Sequence, residues 1–148
     1  MDEHQVKQII NRAIAKLIEN DAELLDINVS ERALMFHLAR YIHELTPVEF
    51  NVDCEYNRHL KDPKRLLLAK NASGDDAGDK VLPDILIHKR NSDERNLLVI
   101  EIKKPEVNFD KDIQRLRAFK KDPYNYTFAA LVIIGKVGAE PVSEIKWV

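Results

Sequence analysis

Val81-Leu-Pro-Asp-Ile-Leu-Ile-His-Lys89 and Leu97-Leu-Val-Ile-Glu-Ile-Lys103, joined by Arg90-Asn-Ser-Asp-Glu-Arg-Asn96, are the stretches on which the fold turns. Both outer runs are apolar and β-branched, and the polar segment between them has the makeup of a hairpin turn, so they read as adjacent antiparallel strands. Reflecting the chain about Ser92 or Asp93 brings Asp84 opposite Glu101, within one pair. Side chains alternate across a strand, so Glu101 and Lys103 share a face, and Asp84 joins them on it.

Ionised groups leaving a greasy strand side by side are costly to desolvate without partners. One reading is a structural ion pair between Glu101 and Lys103, with Asp84 facing away. The other is a site. Two converging carboxylates repel, Lys103 alone cannot neutralise both, and a divalent cation can. Mg2+ suits a few carboxylates completed by water and phosphate oxygens, with Mn2+ able to substitute. Phosphodiester hydrolysis is the reaction that follows: the metal lowers the pKa of a bound water and stabilises charge on the phosphate, while Lys103 orients or helps deprotonate the nucleophile.

Outward from the hairpin, helices and strands alternate. Val6, Ile9, Ile10, Ala13, Ile14, Leu17 and Ile18 recur at helical spacing, predicting an amphipathic helix over Glu3 to Asn20. Asp21 to Val29 reads as a connector. Ser30 is a candidate N-cap for a second helix from Glu31 to about Leu45, ended by Thr46-Pro47. Val48 to Asn57 alternates apolar and polar and predicts a strand with one packed face, Val48, Phe50, Val52, Cys54 and Tyr56. His59 to Lys80 is polar, with one helical turn an option over Arg65 to Ala69 and a mobile loop expected at 70–80. Beyond Lys104-Pro105, a helix over Asp110 to Lys121 turns Ile113, Leu116 and Phe119 inward. A buried strand from Tyr126 to Ile134 follows, stopped by Gly135. Strand, helix and strand in succession favour a parallel crossover, so the expected fold is α/β, with a mixed central sheet of about four to five strands flanked by helices.

The chain of 148 residues, 45% of them hydrophobic, suits a single domain spanning 1–148. Its 23 basic and 25 acidic residues leave a net charge of -2, so nucleic-acid contact must come from a local basic patch. The single cysteine, Cys54, excludes an internal disulfide and a multi-cysteine zinc site. No leader-like or membrane-spanning run is visible, and the expectation is a soluble, cytoplasmic protein.

Pro83-Asp84, followed after about sixteen residues by Glu101-Ile-Lys103 within a strand hairpin, resembles the PD-(D/E)xK nuclease superfamily with its restriction-endonuclease-like fold. The resemblance covers roughly Glu31 to Ile134. It implies that the family's helical glutamate falls on Glu31, which leads a stripe through Leu34, Met35, Leu38 and Ile42; the alternative is a plain helix N-terminal charge. Glu55 is the other candidate acid. Gln114 resembles the polar position that many relatives carry on the helix after Glu-x-Lys, against plain solvent exposure.

Arg58, near Asp53 and Asn57, could meet a phosphate. Lys104, Lys111 and Arg115 could track a phosphate backbone, as could Lys61, Lys64, Arg65 and Lys70; each group also reads as an ordinary solvated face. His37, His43, His59 and His88 lack zinc spacing, and Asp75, Asp76 and Asp79 lack that of a calcium loop. The resulting expectation is a Mg2+-dependent endonuclease or exonuclease acting on DNA. The alternative is a nuclease-fold module without turnover that binds nucleic acid or a protein partner. Symmetric duplex cleavage calls for two copies, yet no interface stripe announces a homodimer.

Overall fold

The computed structural model describes residues 1–56, 58–59, 62–63, 65–66, 79–80, 82–92, 94–105 and 108–148. Among the described residues four helices, α1 (Glu3–Asn20), α2 (Ala22–Asp26), α3 (Glu31–Leu45) and α4 (Asp110–Phe119), surround a sheet. The sheet contains β1 (Asn51–Cys54), β6 (Ile85–His88), β7 (Leu98–Lys103), β8 (Phe128–Val137) and β9 (Glu140–Trp147), in spatial order β1-β6-β7-β8-β9. Only β7 and β8 run parallel, which makes the sheet mixed, as expected. Two short ladders lie apart from it, β2 (Arg58–His59) with β3 (Asp62–Pro63), and β4 (Arg65–Leu66) with β5 (Asp79–Lys80).

The helices begin where the caps dictate. Asp2 and Gln5 form a reciprocal capping box at the start of α1, and Ser30 Oγ accepts from the Ala33 N–H at 3.3 Å at the start of α3. Val6, Ile10 and Leu17 of α1 and Leu34, Leu38 and Ile42 of α3 are buried against Ile85, Ile87, Leu98, Ile100 and Ile102 on one face of the sheet. Leu116 and Phe119 of α4 cover the opposite face, over Leu86, Val99, Leu131 and Ile133. Each fully buried Leu or Ile contributes ~1.5–3 kcal/mol of transfer free energy. Together these two layers fix the sheet rigidly enough to aim side chains from the ends of β6 and β7. Among the described residues no helix is long and apolar enough to cross a membrane.

Several boundaries differ from the sequence reading. The stretch read as a connector after Asn20 contains the short helix α2. The first strand begins at Asn51, because Phe50 N–H closes a turn onto the Pro47 carbonyl and leaves Val48 fully exposed. The alternation also breaks at Glu55. Its φ of 47° is left-handed, and Tyr56 beyond it packs in the cluster under α4, whereas Val52 packs on the α1/α3 side. Gly135 does not stop β8; a Cβ there would stand 2.6 Å from Pro105 Cδ, so glycine lets the segment after β7 press on the strand. Strand β9 was not foreseen. Arg65 lies in β4, not a helical turn, and residues 67–69 lie outside the described residues, as do 70–78 of the expected mobile loop, whose Asp79 and Lys80 form β5.

Candidate functional site

The hairpin pairs Ile85 with Ile100, Leu86 with Val99 and Ile87 with Leu98. Continuing that register by one step sets Asp84 opposite Glu101, at the centre of the predicted range. Leu86 and Val99, each two residues away, belong to the cluster under α4, so both carboxylates project toward α4. Asp84 Oδ2 accepts the Ile102 N–H at 2.7 Å, which holds its carboxylate over the adjoining strand.

Glu101 is only 3% exposed, and its Oε1 has no hydrogen-bond partner among the described residues. A buried carboxylate oxygen with no donor is rare and costly. Burial first, and then the neighbouring Asp84 charge, push the Glu101 carboxyl up to about 8, against opposing help from Arg115 and Lys103. Burial likewise raises Asp84, although the Ile102 N–H and Lys103 work the other way. The Asp84 charge thus makes Glu101 harder to ionise, while Glu31 and Glu55 act in the same sense on Asp84.

Lys103 does not form the simple ion pair with Glu101 that one reading offered. Its Nζ lies 3.4 Å from Glu31 Oε2 and 3.9 Å from Asp112 Oδ1. Burial, the largest single influence, favours its neutral form, but Glu31, Asp112 and Asp84 together outweigh it and raise its pKa. Lys103 is therefore held as an ammonium. Glu31 also accepts the Lys104 main-chain N–H at 3.1 Å through Oε1, so this residue at the start of α3 clamps the end of β7.

Asp112, 13% exposed in its side chain, was missed in the sequence. It stands four residues before Leu116 and seven before Phe119, both buried, a spacing that places it on the packed stripe of α4. Arg115, proposed as a phosphate contact, is close enough to act electrostatically on Glu101. Gln114 is exposed on α4 instead of facing the carboxylates. Glu55 is engaged by Arg32, whose Nη2 donates to Oε1 at 2.7 Å, though its charge still reaches Asp84. Lys104 Nζ is tied to the Asn28 side-chain oxygen at 2.8 Å; Lys111 and Arg58 are exposed. Asp53 accepts from His88 and Arg90 in a separate cluster, where His88 is buried in a structural role. Lys61, Lys64 and Lys70 lie outside the described residues.

A divalent cation fits this donor set. It would supply the missing partner to Glu101 Oε1 and remove the mutual repulsion of Glu101 and Asp84, in keeping with the liking of Mg2+ for few carboxylates and several waters. Among the described residues no three His, Cys, Asp or Glu side chains form a ready cage, so the remaining positions would fall to water or substrate. Compared with family models, with curated proteins and with solved structures, the chain finds no match in any of the three. Function therefore has to be argued from the site.

Proposed function

We propose that the chain is a Mg2+-dependent phosphodiesterase of the PD-(D/E)xK superfamily, with a restriction-endonuclease-like fold, that cleaves DNA. The observation that carries this reading is the pairing of Asp84 with a buried Glu101 whose Oε1 lacks a donor, beside an ammonium held by other carboxylates. Asp84 and Glu101 would hold the cation. When bound, Mg2+ supplies an acidified water and stabilisation of charge on the phosphate.

The protein groups divide the remaining work. Ile102 N–H fixes Asp84, and Glu31 and Asp112 fix the Lys103 amine. With its pKa raised, Lys103 stays protonated near neutral pH and donates hydrogen bonds. Of the two roles open to it, orienting the nucleophile and countering phosphate charge is favoured over removing a proton. Arg115 adds positive charge beside Glu101. A second reading, binding without turnover, draws on the lack of a third ligating side chain among the described residues.

The test is incubation of purified protein with single- and double-stranded DNA and RNA, with Mg2+, Mn2+ or EDTA, alongside Lys103→Ala. Cleavage that requires the cation and falls ~10²–10³-fold in the variant is expected. Cleavage indifferent to chelator or to Lys103→Ala removes the mechanism. Saturable DNA binding with no cleavage under any condition favours the second reading.

A further inference from the structure

We propose that the outer edge of β9 is a self-association surface, where the β9 of a second copy of this chain adds antiparallel and joins two five-stranded sheets into one. β9 ends the strand order and runs for eight residues, with no strand beyond it among the described residues. An open edge of that length is a template for another strand. The opposite edge, β1, offers only four residues and is followed by the left-handed Glu55.

The Val148 N–H donates to the Ala129 carbonyl at 2.9 Å, which fixes the phase of the strand. Main-chain groups alternate sides, so those of Glu144 and Lys146 face β8 and those of Ser143, Ile145 and Trp147 face outward. Pro141 faces outward too, where its missing N–H breaks no bond to β8. Two copies related by a twofold axis at Ile145 join Ser143 to Trp147, Ile145 to Ile145 and Trp147 to Ser143 by main-chain hydrogen bonds. These pairs make no demand on Pro141.

Side-chain charge selects both the register and the occupant. On the α4 side of β9, Glu144 and Lys146 are exposed and lie 3.6 Å apart, with Lys146 Nζ 5.4 Å from the Phe109 ring centroid. About the Ile145 axis each Glu144 stands opposite Lys146 of the other copy, so two reciprocal ion pairs close a cluster of four charges. Moving the axis by one residue sets Glu144 against Glu144, or Lys146 against Lys146. Moving it two residues toward the turn sets Lys146 against Glu140, but brings Pro141, with no N–H to give, into the ladder opposite Ile145. On the other side, Ile14, Ala15 and Ile18 of α1 face Ile145 and Trp147 across a groove of about 440 Å3, and none of the described residues lining it is charged. Lys7, over the Trp147 ring, is already paired with Glu3 at 2.6 Å. The axis brings Ile145 of the second copy to this groove, an apolar side chain to an apolar wall. Both copies then turn Asp84 and Glu101 to the same side of the joined sheet.

The experiment is sedimentation velocity of the full chain over a range of concentrations, for wild type, Glu144→Lys, Lys146→Glu and the exchange Glu144→Lys/Lys146→Glu. Circular dichroism verifies that each variant, altered only at exposed positions, is folded. Expected are a concentration-dependent dimer of wild type, a dimer ~10-fold weaker in each single variant, where like charges now stand opposite, and recovery of the wild-type affinity in the exchange. The register is read separately by oxidation in a Cys54→Ser chain. Paired residues at the axis lie ~5.5 Å apart between Cα atoms, within reach of a disulfide, so Ile145→Cys should crosslink to a covalent dimer and Ser143→Cys should not. A wild type that is monomeric at every concentration, single variants that associate as tightly as wild type, an exchange that recovers nothing, or crosslinking through Ser143→Cys in preference to Ile145→Cys overturns the proposal.

Discussion

Replacing Glu101 with Gln should stabilise the metal-free protein above neutral pH while abolishing its response to Mg2+. Glu101 is 3% exposed and its Oε1 lacks a donor among the described residues, so its ionised form is opposed mainly by burial and then by Asp84. Below an ordinary carboxyl value of 4.5 the group is protonated whether the chain is folded or not, and costs nothing. As pH rises from there the unfolded chain releases the proton while the folded chain keeps it, so stability falls until pH passes about 8. The interval from 4.5 to about 8 sets a ceiling of ~5 kcal/mol on that loss. Relaxation and water entry would leave ~2 kcal/mol, which for a domain of this size is a rise in Tm of ~4–8 °C for Glu101→Gln at pH 8.5. At pH 4.5 the two proteins should melt together. Saturating Mg2+ inverts the order, since at one hundred times Kd it stabilises wild type by ~2.7 kcal/mol and the variant hardly at all. Thermal melts at pH 4.5, 7 and 8.5, with and without Mg2+, decide the matter. A variant that melts below wild type at pH 8.5 in EDTA, or that keeps the full Mg2+ response, refutes the reasoning.

Glu31→Gln should loosen the clamp on Lys103 and the Lys104 N–H, lowering kcat ~10-fold with KM little changed; steady-state kinetics on DNA distinguish this from a lost substrate contact. Gly135→Ala forces a Cβ to within 2.6 Å of Pro105 Cδ, so urea unfolding should give a loss of ~1–3 kcal/mol, and activity should fall as the Lys104-Pro105 segment is displaced. Asn96→Ala removes the donor to the Tyr124 carbonyl, a 2.6 Å buried bond behind the hairpin turn, and should cost ~1–3 kcal/mol with no change in Mg2+ dependence.

What the sequence revealed of the fold was local and periodic. The apolar stripe of α1, and the Ser30 cap with the stripe of α3, announced those helices, and the symmetry of two apolar runs about Ser92 carried the register of Asp84 and Glu101. Strand β9 escaped because its apolar positions, Val142, Ile145 and Trp147, do not alternate and Pro141 argues against a strand. The two-residue turn Gly138-Ala139, with Gly138 at φ 63°, was the signal that could have found it. Gly135 looked like a terminator because the demand on it comes from Pro105, distant in sequence. In the site, the partners of Lys103 lay beyond local reasoning: Glu31 reaches it across 72 residues, and Asp112 from the following helix. Asp112 rather than Gln114 could still have been chosen, because its spacing to Leu116 and Phe119 phases it inward.

The central claim is that Asp84 and Glu101 share one divalent cation, and titration of Mn2+ into the protein, followed by the electron paramagnetic resonance of the free ion, tests it most directly. Saturable binding of one Mn2+ per chain, weakened at least tenfold in Asp84→Asn and in Glu101→Gln but not in the exposed control Asp110→Asn, is the predicted result. Binding equal in all four proteins, or no saturable binding to wild type, contradicts the account.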